Sequence, residues 1–95
     1  MFYFLISTFA NATALNYKGY KFFFFSNEND EPAHIHVEKA GGSAKFWLDP
    51  IEEVYSYGFT AKQRKEIIKI IKDNSLTLIS KWHEHFANDN PEIRV

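Results

Sequence analysis

The amino-acid sequence predicts an α+β domain, an antiparallel meander of about four strands with a long C-terminal helix packed on one face. Three observations predict this class. Short strand-like runs separated by turn residues fill the first half. An apolar stripe at helical spacing fills the second half. The 95 residues are too few for two separate cores, so we expect residues 1–95 to form a single domain.

The first strands are predicted from β-branched and aromatic runs. Residues 3–9 form such a run and are expected to be a strand rather than a secretory signal, because the first cation is Lys18. A polar turn is expected over residues 11–16. In residues 20–25, apolar side chains occupy both odd and even positions and so point to both faces of the strand. This pattern is typical of a central strand that is covered on both faces.

A hairpin follows an acidic loop. Residues 33–39 alternate between apolar and polar side chains, which places His34 and His36 on one face of a strand. Two glycines at 41–42 predict the turn. A second strand is expected over residues 43–48.

The second half predicts a helix that begins after Thr60, a good N-cap with Gln63 three residues later. Residues 51–57, just before it, fit an edge strand or a helical turn equally well. Weak helix formers at residues 73–75 leave room for a kink or for two shorter helices. The apolar stripe consists of Ile67, Ile68, Ile71, Ser75, Leu78, Ile79, Trp82 and Phe86.

Composition excludes several classes of protein. Cysteine is absent, which excludes disulfides, thiolate metal sites and cysteine nucleophiles. The net charge of −1 gives no overall attraction to nucleic acid or anionic lipid. No run approaches the ~20 apolar residues that span a bilayer. We therefore expect a cytoplasmic protein with no membrane partner and no cofactor, and the 18% aromatic content favours a homodimer interface.

The sharpest chemical motif is the histidine pair. Spacing of two on a strand presents the imidazoles of His34 and His36 on one face, where they can share a phosphate, a metal or another ligand. Lys45 should lie across the hairpin, with Glu38 beside it. His34, His36 and Lys45 are therefore the candidate catalytic residues, as acid–base groups and a phosphate contact. The alternative is a half-exposed pair on a solvent face, without chemistry.

A second histidine pair, in the helix, is a weaker candidate. Residues two apart on a helix lie about 200° apart around its axis, so His83 and His85 should face away from each other. A zinc site on a helix needs spacing of three or four. No metal ligand is assigned, although a tertiary site with His34 and His36 stays open.

Five cations crowd the first part of the predicted helix, namely Lys62, Arg64, Lys65, Lys69 and Lys72. Cations in a first turn oppose the helix dipole and cost about 0.3–1 kcal/mol each when exposed. A nucleic-acid backbone or an acidic partner would offset this cost, and a solvated lysine face is the alternative.

Several blocks of sequence, in order, resemble one family. They are GYKFFFFSNE at 19–28, EPAHIHVE at 31–38, AKFWLDP at 44–50, GF at 58–59 and WHEHF at 82–86. The chain resembles the bacterial family catalogued as domain of unknown function 4160, over about residues 19–86. The chain departs from the family at Ala33, where a second proline is usual, and at His85, where an aromatic residue is common. The resemblance implies that the motif positions are Glu31, His34, His36, Lys45, Trp47, Trp82 and His83.

Three functional hypotheses follow. Because family members are often encoded beside another small protein, the resemblance implies an interaction component of a two-gene, toxin–antitoxin-like system. It would bind a protein partner or form a homodimer, with RNA as a further partner. The alternative is a metal-independent ribonuclease that uses His34, His36 and Lys45, and a metal-binding protein ranks third. The sequence does not decide whether the protein is an enzyme. The candidate binding residues are Glu31, Trp47, Lys62, Arg64, Lys65 and His83.

Overall fold

The chain is described here by a computed structural model that covers residues 12–25 and 30–89. These residues form β1 (Ala12–Tyr17), β2 (Tyr20–Phe24), β3 (His34–Lys39), β4 (Gly42–Leu48), β5 (Ile51–Tyr57), α1 (Ala61–Asp73) and α2 (Ser75–Asp89). The strands lie in chain order in one antiparallel sheet. The α+β meander is confirmed, with five strands rather than about four and two helices rather than one. The strand expected over residues 3–9 lies outside the described residues.

The first hairpin differs from the expectation. The turn expected over residues 11–16 is wrong, because Ala12–Tyr17 is a strand that pairs with β2. The turn lies at Lys18 and Gly19, whose φ angles of 52° and 84° suit a two-residue hairpin. Sequence reasoning missed it because lysine rarely adopts a positive φ and because asparagine and alanine are poor strand formers.

The hairpin of β3 and β4 is confirmed, but its turn lies one residue earlier than expected. Lys39 pairs with Gly42, so Ala40 and Gly41 form the turn, with φ angles of 43° and 88°. Gly42 is instead the first residue of β4, with the Phe59 ring packed on it. A Cβ atom on Gly42 would lie 2.3 Å from Cε1 of Phe59. Glycine is therefore required at this position by the close approach of a ring.

The register between β3 and β4 fixes the two faces of the sheet. Ile35 lies opposite Phe46, and His36 lies opposite Lys45. The shared face of His36 and Lys45 is as the sequence predicted, whereas a turn at residues 41–42 would have placed Glu38 opposite Lys45. We call the face that carries His34, His36 and Lys45 the histidine face. The apolar side chains of the other face pack on the helices, and the ring of Trp82 in α2 also contacts His34 at the start of β3. The main buried apolar cluster contains Ala14, Tyr20, Phe22, Phe24, Ile35, Val37, Ala44, Phe46, Leu48, Ile67, Ile70, Ile71, Leu78, Trp82 and Phe86.

The helical region divides at Asn74. Thr60 and Gln63 form the predicted capping box, with hydrogen bonds of 2.9 and 3.1 Å. Asn74 closes α1, because its side chain donates to the carbonyl oxygen of Ile70 at 2.8 Å. Its own carbonyl accepts from the backbone N–H of Leu78 at 2.9 Å and so starts α2. The weak helix formers at residues 73–75 thus produce two helices instead of a kink.

Two carboxylates connect α1 to the sheet through side-chain hydrogen bonds. Arg64 donates to both oxygens of Glu53 in β5, at 3.0 and 2.8 Å, and this hydrogen bond raises the pKa of Arg64. Tyr20 of β2 donates its hydroxyl to Glu66 at 2.8 Å. Burial, together with this hydrogen bond, raises the pKa of Tyr20 to about 12. Neither helix in the described part is long and apolar enough to cross a membrane.

Candidate functional site

The two strand histidines lie inside the protein. His34 is 0% exposed and His36 is 5% exposed, with their ring centroids 5.2 Å apart. The half-exposed placement considered from the sequence is therefore wrong. Strand alternation placed both rings on the correct face, but it did not show that this face is covered.

His34 packs against two tryptophans. Its ring centroid lies 4.7 Å from that of Trp82 in α2 and 5.7 Å from that of Trp47 in β4. Its Nδ1 atom lies 2.8 Å from the carbonyl oxygen of Pro32. Because a carbonyl oxygen can only accept, Nδ1 carries the hydrogen and donates.

His36 packs against one phenylalanine of β2 and one that directly follows this strand. Its ring stacks on Phe23 at a centroid distance of 5.6 Å and an interplanar angle of 24°. Phe25 meets it edge-on at 4.6 Å. Sequence reasoning assigned these phenylalanines to a central strand but did not connect them with the histidine pair.

Lys45 and Glu31 supply the charges beside the two histidines. We call His34, His36, Lys45 and Glu31 the histidine cluster. Lys45 Nζ donates to Glu31 Oε1 at 2.7 Å and lies 5.0 Å from the ring centroid of Trp47. The Lys45 side chain is 12% exposed and that of Glu31 is 37% exposed. The same Glu31 oxygen lies 3.9 Å from Nδ1 of His34. The carboxylate therefore contacts both basic groups, and Lys45 bonds to Glu31 rather than to Glu38.

The geometry limits what this cluster can do chemically. A general acid or base must come within hydrogen-bond reach of the proton that it transfers. Both imidazoles are buried, so a substrate could reach them only after the side chains that cover them move. In residues 12–25 and 30–89, no group of three His, Asp or Glu side chains could hold a metal ion.

The helical candidates lie elsewhere. His83 is exposed, whereas the His85 ring stacks on Phe24 at a centroid distance of 5.9 Å and meets Phe86 at 4.6 Å. The two histidines therefore differ in environment, as their spacing predicted. The described contacts do not join the candidate binding residues Lys62, Arg64 and Lys65 to the histidine cluster.

Two tyrosines of β5 were missed. Tyr55 lies opposite Lys45, and its ring centroid is 5.3 Å from that of Tyr57, which is 68% exposed. Trp47 lies on the same face of the neighbouring strand and is half-buried. We call Trp47, Tyr55 and Tyr57 the aromatic patch. Their shared face follows from period-two spacing, which would have indicated it if residues 51–57 had been assigned as a strand.

The Glu31–Lys45 pair gives a stability prediction. Replacing Glu31 with Gln should lower the free energy of unfolding by about 1–2 kcal/mol, because it leaves a largely buried ammonium without its carboxylate. Asp73→Asn is the matched control, since it removes the carboxylate of the exposed pair with Lys69 and should cost less than about 0.5 kcal/mol. Urea unfolding measures both. Equal losses would contradict a special role for the Glu31 contact.

The fold and the site together define a small α+β domain whose sheet carries an enclosed histidine pair and a bridging Lys–Glu pair. A family model described as Domain of unknown function (DUF4160) matches residues 19–83, more than half of the chain. The protein belongs to this family, which confirms the resemblance seen in the sequence. No curated protein and no solved structure gives a significant match.

Proposed function

We propose that this protein is a binding module, the protein-binding component of a two-gene, toxin–antitoxin-like system. The observation that supports this role is the aromatic patch. Tyrosine and tryptophan are enriched at protein interfaces because they supply large, rigid and amphipathic contact area. Two half-buried rings beside an exposed one match an interface anchor better than a core.

The surroundings of the patch favour a partner that packs on the face of the sheet. The register between β4 and β5 shifts next to Val54, so that the ladder is irregular there. Glu52 and Glu53 directly precede this point. A bulge and charged side chains on an outer strand discourage the addition of another strand. A partner with an apolar surface would therefore cover Trp47 and Tyr57 rather than extend the sheet.

Burial of the histidine cluster supports binding over catalysis. A ribonuclease would need His34 and His36 to reach the 2′-hydroxyl and the leaving oxygen of RNA. Their burial and their ring contacts instead suit a role in shaping the sheet beneath the patch. Purified protein is accordingly expected to leave total RNA intact across a range of pH values.

The test is binding to the small protein encoded by the neighbouring gene. Tyr57→Ala should weaken this complex by at least tenfold, which is the size of effect expected when an interface anchor is truncated. Tyr17→Ala is the matched control, because Tyr17 is also an exposed tyrosine, at 48%, but lies on β1. Co-expression followed by isothermal titration calorimetry gives the affinities.

Two results would contradict this function. The first is equal affinity of the Tyr57 and Tyr17 variants. The second is the absence of a complex, with the patch instead joining two copies of this chain in sedimentation experiments.

A further inference from the structure

Four lysines of α1 form one exposed face, which we call the lysine face. Lys62, Lys65, Lys69 and Lys72 recur at steps of three and four residues, and all four are exposed. At 100° per residue they fall within an arc of about 80°, over a length of about 15 Å. The buried isoleucines of α1 lie on the other side of the helix. The arrangement therefore concentrates positive charge toward solvent.

Contacts within the described residues neutralise little of this charge. Glu53 is engaged by Arg64, and Glu66 accepts a hydrogen bond from a tyrosine of β2. Asp73 does reach the lysine face, where it pairs with Lys69 at 3.0 Å. In the part of the chain that the structure describes, the other three lysines have no carboxylate partner.

The arrangement also costs helix stability. The first turn of α1 contains no acidic residue, and Lys62 there opposes the helix dipole. Like charges three or four residues apart repel each other by about 0.2–0.5 kcal/mol per pair. No described contact inside the chain offsets this repulsion across the whole face, whereas a bound polyanion would.

We infer that the lysine face binds the phosphate backbone of a nucleic acid. Lysine contacts phosphate as a flexible point charge, which suits a repeating anion without demanding a fixed geometry. The arc carries no aromatic anchor of the kind that an acidic protein partner would need. The single arginine of α1 forms a bidentate pair with Glu53, so the helix has no arginine left to read bases. Binding is therefore independent of sequence.

This site is separate from the aromatic patch and goes beyond the proposed function. The chain as a whole carries a charge of −1, so attraction to nucleic acid is local and strongest at low salt. Each phosphate contact contributes a slope of about −0.7 to −0.9 to a plot of log affinity against log salt. Four contacts give a slope near −3.

The experiment is fluorescence anisotropy of the full chain with labelled single-stranded RNA, duplex DNA of mixed sequence, and a polyglutamate peptide. Lys65→Gln/Lys72→Gln removes two lysines that have no carboxylate partner within the described residues. It should weaken nucleic-acid binding at least tenfold and reduce the salt slope by about 1.5. Lys21→Gln/Lys81→Gln makes the same change in net charge outside α1 and should leave the affinity nearly unchanged. Tyr57→Ala should also bind nucleic acid normally, which separates this site from the protein interface.

Three results would overturn the inference. One is the absence of binding to either nucleic acid at low salt. Another is an equal loss in the two lysine double variants, which would show attraction by overall charge alone. The third is tighter binding of polyglutamate than of nucleic acid, which would assign the face to an acidic protein.

Discussion

Replacing Trp82 with alanine is expected to lower the free energy of unfolding by about 3–5 kcal/mol, the usual cost of truncating a buried tryptophan. The indole is buried and joins two parts of the molecule. Its ring centroid lies 5.6 Å from that of Phe24, 4.2 Å from that of Phe86 and 4.7 Å from that of His34. The substitution therefore removes core packing and uncovers one side of the histidine cluster.

Urea unfolding measures the loss for Trp82→Ala, and Leu76→Ala in the same helix is the control. Leu76 is 83% exposed, so its truncation should change stability by less than about 0.5 kcal/mol. Trp82→Phe should fall between the two, because a smaller ring restores part of the packing. The His34 ring resonances should shift in both Trp82 variants and stay in place in Leu76→Ala. Similar losses at Trp82 and Leu76 would contradict the packing described here.

Features set by nearby residues could be predicted from the sequence. The capping box needs only Thr60 and Gln63, which lie three residues apart. The shared face of His36 and Lys45 depends only on strand alternation across a short hairpin, so it was predicted even though the turn was misplaced by one residue and the exact pairing was not. Local chemistry also located the boundary between α1 and α2, since Asn74 competes for helix hydrogen bonds.

The environment of the histidines could not be predicted in this way. Alternation shows which side chains share a face, but not which distant elements cover that face. His34 is covered by Trp82, which follows it by 48 positions along the chain. Lys45 bonds to Glu31 from the loop before β3, although Glu38 was the nearer candidate across the hairpin. These contacts depend on how the elements pack after each has formed.

Replacing Gly42 with alanine should lower the free energy of unfolding by about 2–3 kcal/mol, the upper part of the range for overpacking. The added Cβ would lie 2.3, 2.6 and 2.7 Å from three atoms of the Phe59 ring. The ring could avoid this overlap only by turning away from β4. It would then lose its packing against Tyr20, at a centroid distance of 6.0 Å. Thermal or urea unfolding measures the loss.

A double-mutant cycle identifies the cause of the loss at Gly42. In a Phe59→Ala background the obstructing ring is gone, so Gly42→Ala should cost less than about 0.5 kcal/mol. Gly41→Ala provides the contrast, because a Cβ there meets nothing within 4 Å but the residue has φ of 88°. Gly41→Ala should lower the free energy of unfolding by about 1–2 kcal/mol because alanine is strained at this φ angle. This loss should be the same with or without the Phe59 ring. If the loss of unfolding free energy in Gly42→Ala persisted without the ring, steric overlap with Phe59 would be the wrong explanation.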